Sequence, residues 1–325
     1  MSLLRNVGIG ITAYLDEIND LIGSLLSPSA EVRENDNDLH PEWMDYTGFK
    51  GTERAIRGSF CCPFKCGGCG GPLTWDIIFT RLVIIDSLWS TNTRMGFFVK
   101  ENVATAIWNA CLDSNGLHTD AALATKADEY VQWAINKGPK TQGAAEVENL
   151  FAKKYECYVD SHHKTITGRN QLSLLTKYLH FLVETQMPQN TIGFPIYDNI
   201  VQDILPKVCR LVGLTGCKCN SIHEYTNSLY LLITKLQSRG NVWRSITNMT
   251  PYHIIDRFLW TLGKVRQVTI KQAPNTTLSY LVSQVEFKNM VSSDKKISPR
   301  LQKWDAFLKN HNTIYSLAEF KKSVL

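Results

Sequence analysis

Lys177 and Asp198 are the two residues whose types and spacing could carry covalent chemistry. Lys177 is the single lysine inside an apolar, helix-periodic run, SLLTKYLHF, residues 173–181. A lysine amine that is partly withdrawn from water loses its proton more readily and can attack an electrophilic carbon to form an imine. Asp198 follows twenty-one residues later in FPIYDNIVQDIL. The residue before a proline is pushed out of the helical region, so Phe-Pro-Ile-Tyr is extended and Asp198 stands where a helix from Asn199 begins. A carboxylate at a helix N-terminus stays ionised, because N–H donors and the helix dipole favour the anion. Held there, it can face a cationic carbon or accept a proton from an amine or a water molecule.

Each residue also has a plainer reading. On the Lys177 helix, Leu174, Leu175, Tyr178, Leu179 and Leu182 form an apolar face, while Ser173, Lys177, His180 and Glu184 form a polar stripe. Such stripes usually face water, and Lys177 could then simply pair with Ser173 or Glu184. Asp198 could act only as a helix cap, a role worth about 1 kcal/mol. The chemical reading requires Lys177 to point into a cleft.

The elements that must position these residues are predominantly helices. Periodicity predicts helices over 5–26, 73–89, 99–111, 119–136, 144–158, 171–185, 199–212, 222–238 and 250–263. Thr250 and Pro251 open the last of these as cap and first helical residue. Residues 28–60 are polar and irregular, 61–72 (CCPFKCGGCGGP) too glycine-rich for regular structure, and 138–143 a break. Residues 267–285 hold a short strand or coil. Pro299–Asn310 and Ser316–Lys322 are further helices, the second opened by a Ser-x-x-Glu capping box. The fold class is mainly α.

The totals agree with this class. The 325 residues are 44% hydrophobic and 20% charged, which suits a globular chain and excludes wholesale disorder. A net charge of +5 permits a nucleic-acid partner without requiring one. No apolar run reaches the roughly 18–20 residues of a membrane span, so no membrane partner is expected. The apolar stretch near the start is followed at once by Asp16, Glu17 and Asp20, and reads as an amphipathic helix instead of a signal peptide. Nine cysteines, an odd number and mostly dispersed, point to a reducing cytoplasm.

Four segments carry a resemblance: TRLVIIDSLWSTN (80–92), SLLTKYLHF (173–181), FPIYDN (194–199) and IIDRFLWTLGK (254–264). In this order they resemble a family of bacterial proteins with the 8-oxoguanine DNA glycosylase fold, within the helix–hairpin–helix DNA glycosylase superfamily. The resemblance implies an all-helical, two-lobed fold with a cleft between the lobes. It implies Lys177 as the amine nucleophile position and Asp198 as the essential carboxylate. Thr91, Asn92, His180, Tyr197, Asn199 and Trp260 are then candidate substrate contacts, although Trp260 suits a core position better than a base-stacking platform. Lys264, Arg266 and Lys271 are candidate phosphate contacts. The superfamily hairpin that precedes the lysine usually reads Leu-Pro-Gly-Val-Gly; here the corresponding stretch is TITGRNQ, with Gly168 as the one turn residue.

The expected activity is DNA base excision. A modified base, an oxidised purine or a phage-type modified cytosine, would be flipped from the stack and its N-glycosidic bond cleaved, with or without lyase action at the abasic site. DNA is the expected partner and no cofactor is needed; defence against modified viral DNA is a fitting setting. The alternative is a non-catalytic module that keeps the fold and binds nucleic acid or protein. A third possibility, a zinc-stabilised nuclease-like protein, rests on Cys61, Cys62, Cys66 and Cys69, which contain one Cys-x-x-Cys, and on a second cluster at Cys217 and Cys219. No metal is the expected state. The division expected is 1–72, an N-terminal helix with a Cys/Gly-rich loop; 73–265, a helical core; and 266–325, a basic helical segment. Oligomeric state is open.

Overall fold

The computed structural model describes residues 15–16, 18–20, 22, 55–60, 73–89, 96–159, 164–187, 191–239 and 249–260. The described residues are mainly helical, with one antiparallel strand pair. The order is α1 (Trp75–Trp89), α2 (Gly96–Ala110), α3 (Asp120–Asn136), α4 (Gln142–Ala152), β1 (Tyr155–Val159), β2 (Lys164–Arg169), α5 (Leu172–Gln186), α6 (Asn199–Leu211) and α7 (Ile222–Gln237). Residues 55–60 and 251–260 are also helical. The chain divides into two compact units, Thr52–Asp198 and a second made of Met1–Gly51 with Asn199–Leu325.

Local sequence explains most helix starts. Thr119 opens α3, its hydroxyl accepting from Ala122 N at 3.1 Å, and Thr141 does the same for α4 through Ala144 N at 3.1 Å. Ser221 opens α7 through Glu224 N at 3.2 Å. These bonds satisfy donors that a helix start otherwise leaves open. Lys137 closes α3 in the left-handed region, φ 52°, and its N–H donates to the Trp133 carbonyl. α6 carries Pro206 in its interior, which removes one helix N–H. Beside it the buried Lys207 reaches back with Nζ to the Asp203 carbonyl, 3.0 Å, and carboxylate, 2.6 Å.

In the 52–198 unit, α5 is the central element. It packs against α1 and α3, and α3 packs in turn on α4. Tyr178 and Phe181 of α5 meet Phe60 with ring centroids 5.0 and 6.3 Å apart. Tyr130, Phe151 and Phe194 form a second aromatic group in the same core. In the other unit α6 lies against α7, Tyr252 Oη donates to the Thr226 carbonyl at 2.9 Å, and Asn19 Nδ2 donates to the Leu236 carbonyl at 3.0 Å.

Three expectations from the sequence change. The stretch expected to be irregular over 28–60 is helical at 55–60, where Ile56, Ser59 and Phe60 are buried. The helix expected over 144–158 ends at Ala152, and Tyr155–Val159 is a strand. The stretch TITGRNQ, read as polar sequence with only Gly168 as a possible turn residue, contributes most of β2. Cys157 pairs with Ile166, Tyr158 with Thr165 and Val159 with Lys164, with an irregularity before Tyr155↔Arg169. Aromatic and β-branched residues make up three of five positions in β1 and three of six in β2, and pairing satisfies backbone groups that neither strand could satisfy alone. The helices expected over 299–310 and 316–322, and most of that over 5–26, lie outside the described residues.

Candidate functional site

α5 does not present a water-facing stripe. Every residue from Leu174 to Val183 is buried, including Thr176, Lys177 (5% exposed) and His180. The polar side is covered by the chain that follows the helix. Thr176 Oγ1 donates to the Leu172 carbonyl at 2.7 Å and accepts from Tyr197 N at 3.0 Å. One turn further on, His180 Nδ1 lies 2.7 Å from the Phe194 carbonyl. A carbonyl only accepts, so this bond places a proton on Nδ1 and turns Nε2 toward Glu184, 3.6 Å away. Glu184 also pairs with Arg57 at 2.7 Å. Thr176 and His180 thus bond an extended backbone segment running antiparallel to the helix.

This arrangement sets the relation between Lys177 and Asp198. Each lies one residue, about 3.8 Å along the chain, from the Thr176–Tyr197 hydrogen bond. Lys177 is buried in the helix; Asp198 is half-buried and ends the extended segment, with α6 starting at the next residue. Its N–H donates to the Ile196 carbonyl at 3.1 Å. An amine-bearing helix and a carboxylate-bearing segment end are therefore joined by a side-chain-to-backbone bond.

The other predicted positions are placed as follows. Tyr197 is half-buried, with its N–H on Thr176. Asn199 is the exposed first residue of α6, its Oδ1 accepting from Gln202 Nε2 at 3.4 Å. Trp260 is half-buried on the 251–260 helix. Thr91, Asn92, Lys264, Arg266, Lys271, Cys61, Cys62, Cys66 and Cys69 lie outside the described residues. A groove of about 620 Å³ is lined by Asn109 of α2 and Asp113 just after it, by Lys126 and Glu129 of α3 and by Glu146 and Asn149 of α4; it contains none of the predicted site residues.

Sequence reasoning missed the polar knot behind α5. Arg81 of α1, 3% exposed, makes a bidentate pair with Asp120 at 2.7 and 2.9 Å. Its Nε donates to the Ser59 carbonyl at 3.0 Å, its Nη1 to Tyr178 Oη at 3.3 Å, and its guanidinium lies 4.5 Å from the Phe60 ring centre. Burial works against the Arg81 charge, but the bonds and charge of Asp120, aided by Tyr178, outweigh it and raise its pKa further. One arginine inside the apolar run of α1 was the available signal. Thr176 had none, because a helical threonine reads the same whether its hydroxyl serves its own helix or a distant N–H.

Comparison with protein-family models, with curated proteins and with solved structures gives no match.

Proposed function

We propose that the chain is a DNA glycosylase that excises a modified base, an oxidised purine or a phage-type modified cytosine, by cleaving its N-glycosidic bond. The finer fold in this reading is a two-lobed helical one with the substrate cleft between the lobes. The observation that carries the proposal is the Thr176–Tyr197 hydrogen bond, which brings the Lys177 turn of α5 beside the segment ending in Asp198. Burial of Lys177 supports the same reading, since it holds the side chain away from bulk water, where the reading needs an enclosed nucleophile. Lys177 Nζ attacks the anomeric carbon as the base departs, or orients a water that does so. Asp198 stabilises the positive charge that develops on the sugar. A lyase step follows where the imine persists. The setting we favour is defence against DNA carrying modified bases.

A second reading, a non-catalytic nucleic-acid- or protein-binding module, draws on strand β2. By the resemblance, this stretch corresponds to the superfamily hairpin that offers backbone N–H groups to a phosphate, and here it is a strand.

The test uses the full chain with duplexes that each carry one modified base. Alkali reveals abasic sites, and borohydride traps any imine. Alkali-labile sites on at least one duplex are expected. Retained DNA binding without strand breakage on any of them supports the module.

A further inference from the structure

Between α2 and α3, residues 111–119 fold into a tight hairpin of their own. Thr119 N donates to the Cys111 carbonyl at 2.9 Å, Leu112 bridges His118, and Asp113 N donates to the Leu117 carbonyl at 2.8 Å. Asp113 also fixes the tip, its Oδ1 accepting from Asn115 N and from Leu117 N, both at 2.8 Å. The tip reads Asp113-Ser114-Asn115-Gly116-Leu117 and contains the single Asn-Gly pair of the chain. Ser114, Asn115 and Gly116 are all exposed.

An asparagine side-chain carbonyl carbon is one five-membered ring closure away from the backbone nitrogen of the next residue. A side chain on that next residue crowds the closure, and glycine has none. Gly116 takes a φ of 78°, and a Cβ built on it would meet nothing within 4 Å, so the space beside it is open to water. Its N–H donates to the Asp113 carbonyl at 3.2 Å, the longest backbone bond of the hairpin. Among the described residues no hydrogen bond holds the Asn115 carboxamide, which is therefore at liberty to turn toward that nitrogen.

We propose that Asn115–Gly116 is a self-modifying site, at which the folded chain converts the asparagine through a succinimide to aspartate and isoaspartate. The Gly116 nitrogen attacks Asn115 Cγ and gives up its proton. The bond from Cγ to the side-chain nitrogen breaks, and that nitrogen takes the proton and leaves as ammonia. Water then opens the ring, its hydroxyl joining a carbonyl carbon and its proton returning to nitrogen. Opening at Cγ restores the ordinary peptide link and leaves aspartate. Opening at the main-chain carbonyl leaves isoaspartate, with Gly116 joined through the former side chain. One asparagine and one water become one acid and one ammonia, and no oxidant or reductant takes part.

Either product places a second carboxylate two residues from Asp113, at the edge of the groove that Asp113 and Ser114 help to line. The isoaspartate also adds one carbon to the main chain between Asn115 N and Leu117 N, the two donors that Asp113 Oδ1 holds. The conversion thus changes both the charge and the length of a loop that presents Leu112 and Leu117 to solvent. Exposed asparagines on the neighbouring helices lack this route. Asn109 and Asn149 are followed by Ala110 and Leu150, whose side chains crowd the closure and whose N–H groups belong to α2 and α4.

The site involves neither Lys177 nor Asp198, and its outcome is independent of the glycosylase reading. The test incubates the freshly purified full chain in mildly alkaline buffer, with a portion unfolded in guanidinium as reference, and maps the peptides by mass spectrometry. In the folded chain the Asn115 peptide should gain the mass of an amide-to-acid change, in two products of equal mass that separate by chromatography. Asn109 and Asn149 should remain amides. In Gly116→Ala the conversion should fall severalfold. Asn115 left intact in the folded chain, while the unfolded reference converts it, overturns the proposal. Conversion of Asn109 or Asn149 at the same pace does so as well, as does an undiminished rate in Gly116→Ala. The wild-type peptide map decides the matter even if the variant does not fold.

Discussion

Lys177, Asp198 and Asp128 are the residues at which single changes are most informative. Gln at position 177 keeps much of the lysine stem but cannot form an imine. We expect Lys177→Gln to lose every borohydride-trapped adduct and most base excision while retaining the helical circular-dichroism spectrum. Full excision by this variant removes Lys177 from the mechanism. Asn caps a helix about as well as Asp, so Asp198→Asn should change stability by less than about 0.5 kcal/mol while abolishing excision. Urea titration and the strand-break assay on the same preparation separate the two effects. Asp128, half-buried on α3, tests a different balance. Burial raises its carboxyl above the usual range, with Glu129 adding to the shift and Gln132 opposing it. A raised carboxyl means that the fold disfavours the charged form. The penalty is therefore present above the folded-state pKa and vanishes below the unfolded-state one. Asp128→Asn should raise the melting temperature slightly near neutral pH, a small effect because the group is half-exposed and solvent screens it. The gain should be gone near pH 3.

Among the elements, α1, α3 and α5 are locked through Arg81, which joins Asp120 at the start of α3, Tyr178 on α5 and the Ser59 carbonyl. Removing one partner of a buried ion pair leaves the other charge uncompensated, at a cost of about 3–5 kcal/mol. Arg81→Met should lose stability of that order by urea denaturation. Adding Asp120→Asn should recover part of the loss, because the stranded carboxylate is then gone. A cost below about 1 kcal/mol for Arg81→Met would mean that water reaches Asp120 and that the knot contributes little. The consequence for function is indirect. Tyr178 is adjacent to Lys177, so Arg81 fixes the rotation of the helix that carries the amine.

For the whole molecule, the question is whether DNA is the partner. The net charge of +5 is modest, so affinity must come from local phosphate contacts. Each contact releases counterions, and a few together make binding fall at least about tenfold between about 50 and about 200 mM salt. Fluorescence anisotropy with a labelled duplex measures this directly. Affinity that is flat over that range, or absent, favours the protein-binding alternative. Among the described residues no helix is long and apolar enough to cross a membrane.

The sequence by itself determined the helices and most of their ends. Thr119, Thr141 and Ser221 cap with bonds that span only three residues, and the apolar spacing of α1, α3 and α5 is local as well. It also placed Lys177 mid-helix and Asp198 just ahead of the next one. Tertiary structure decided what those positions mean. The stripe through Lys177 and His180 has a pattern suited to water, and it is buried because Thr176 and His180 bond backbone groups of Tyr197 and Phe194. The strand over Tyr155–Val159 was hidden for the same reason, since a short strand gains its stability from its partner. Periodicity and capping report interactions within a few residues. A buried polar group is settled by whichever distant donor or acceptor reaches it, and only the folded chain determines that.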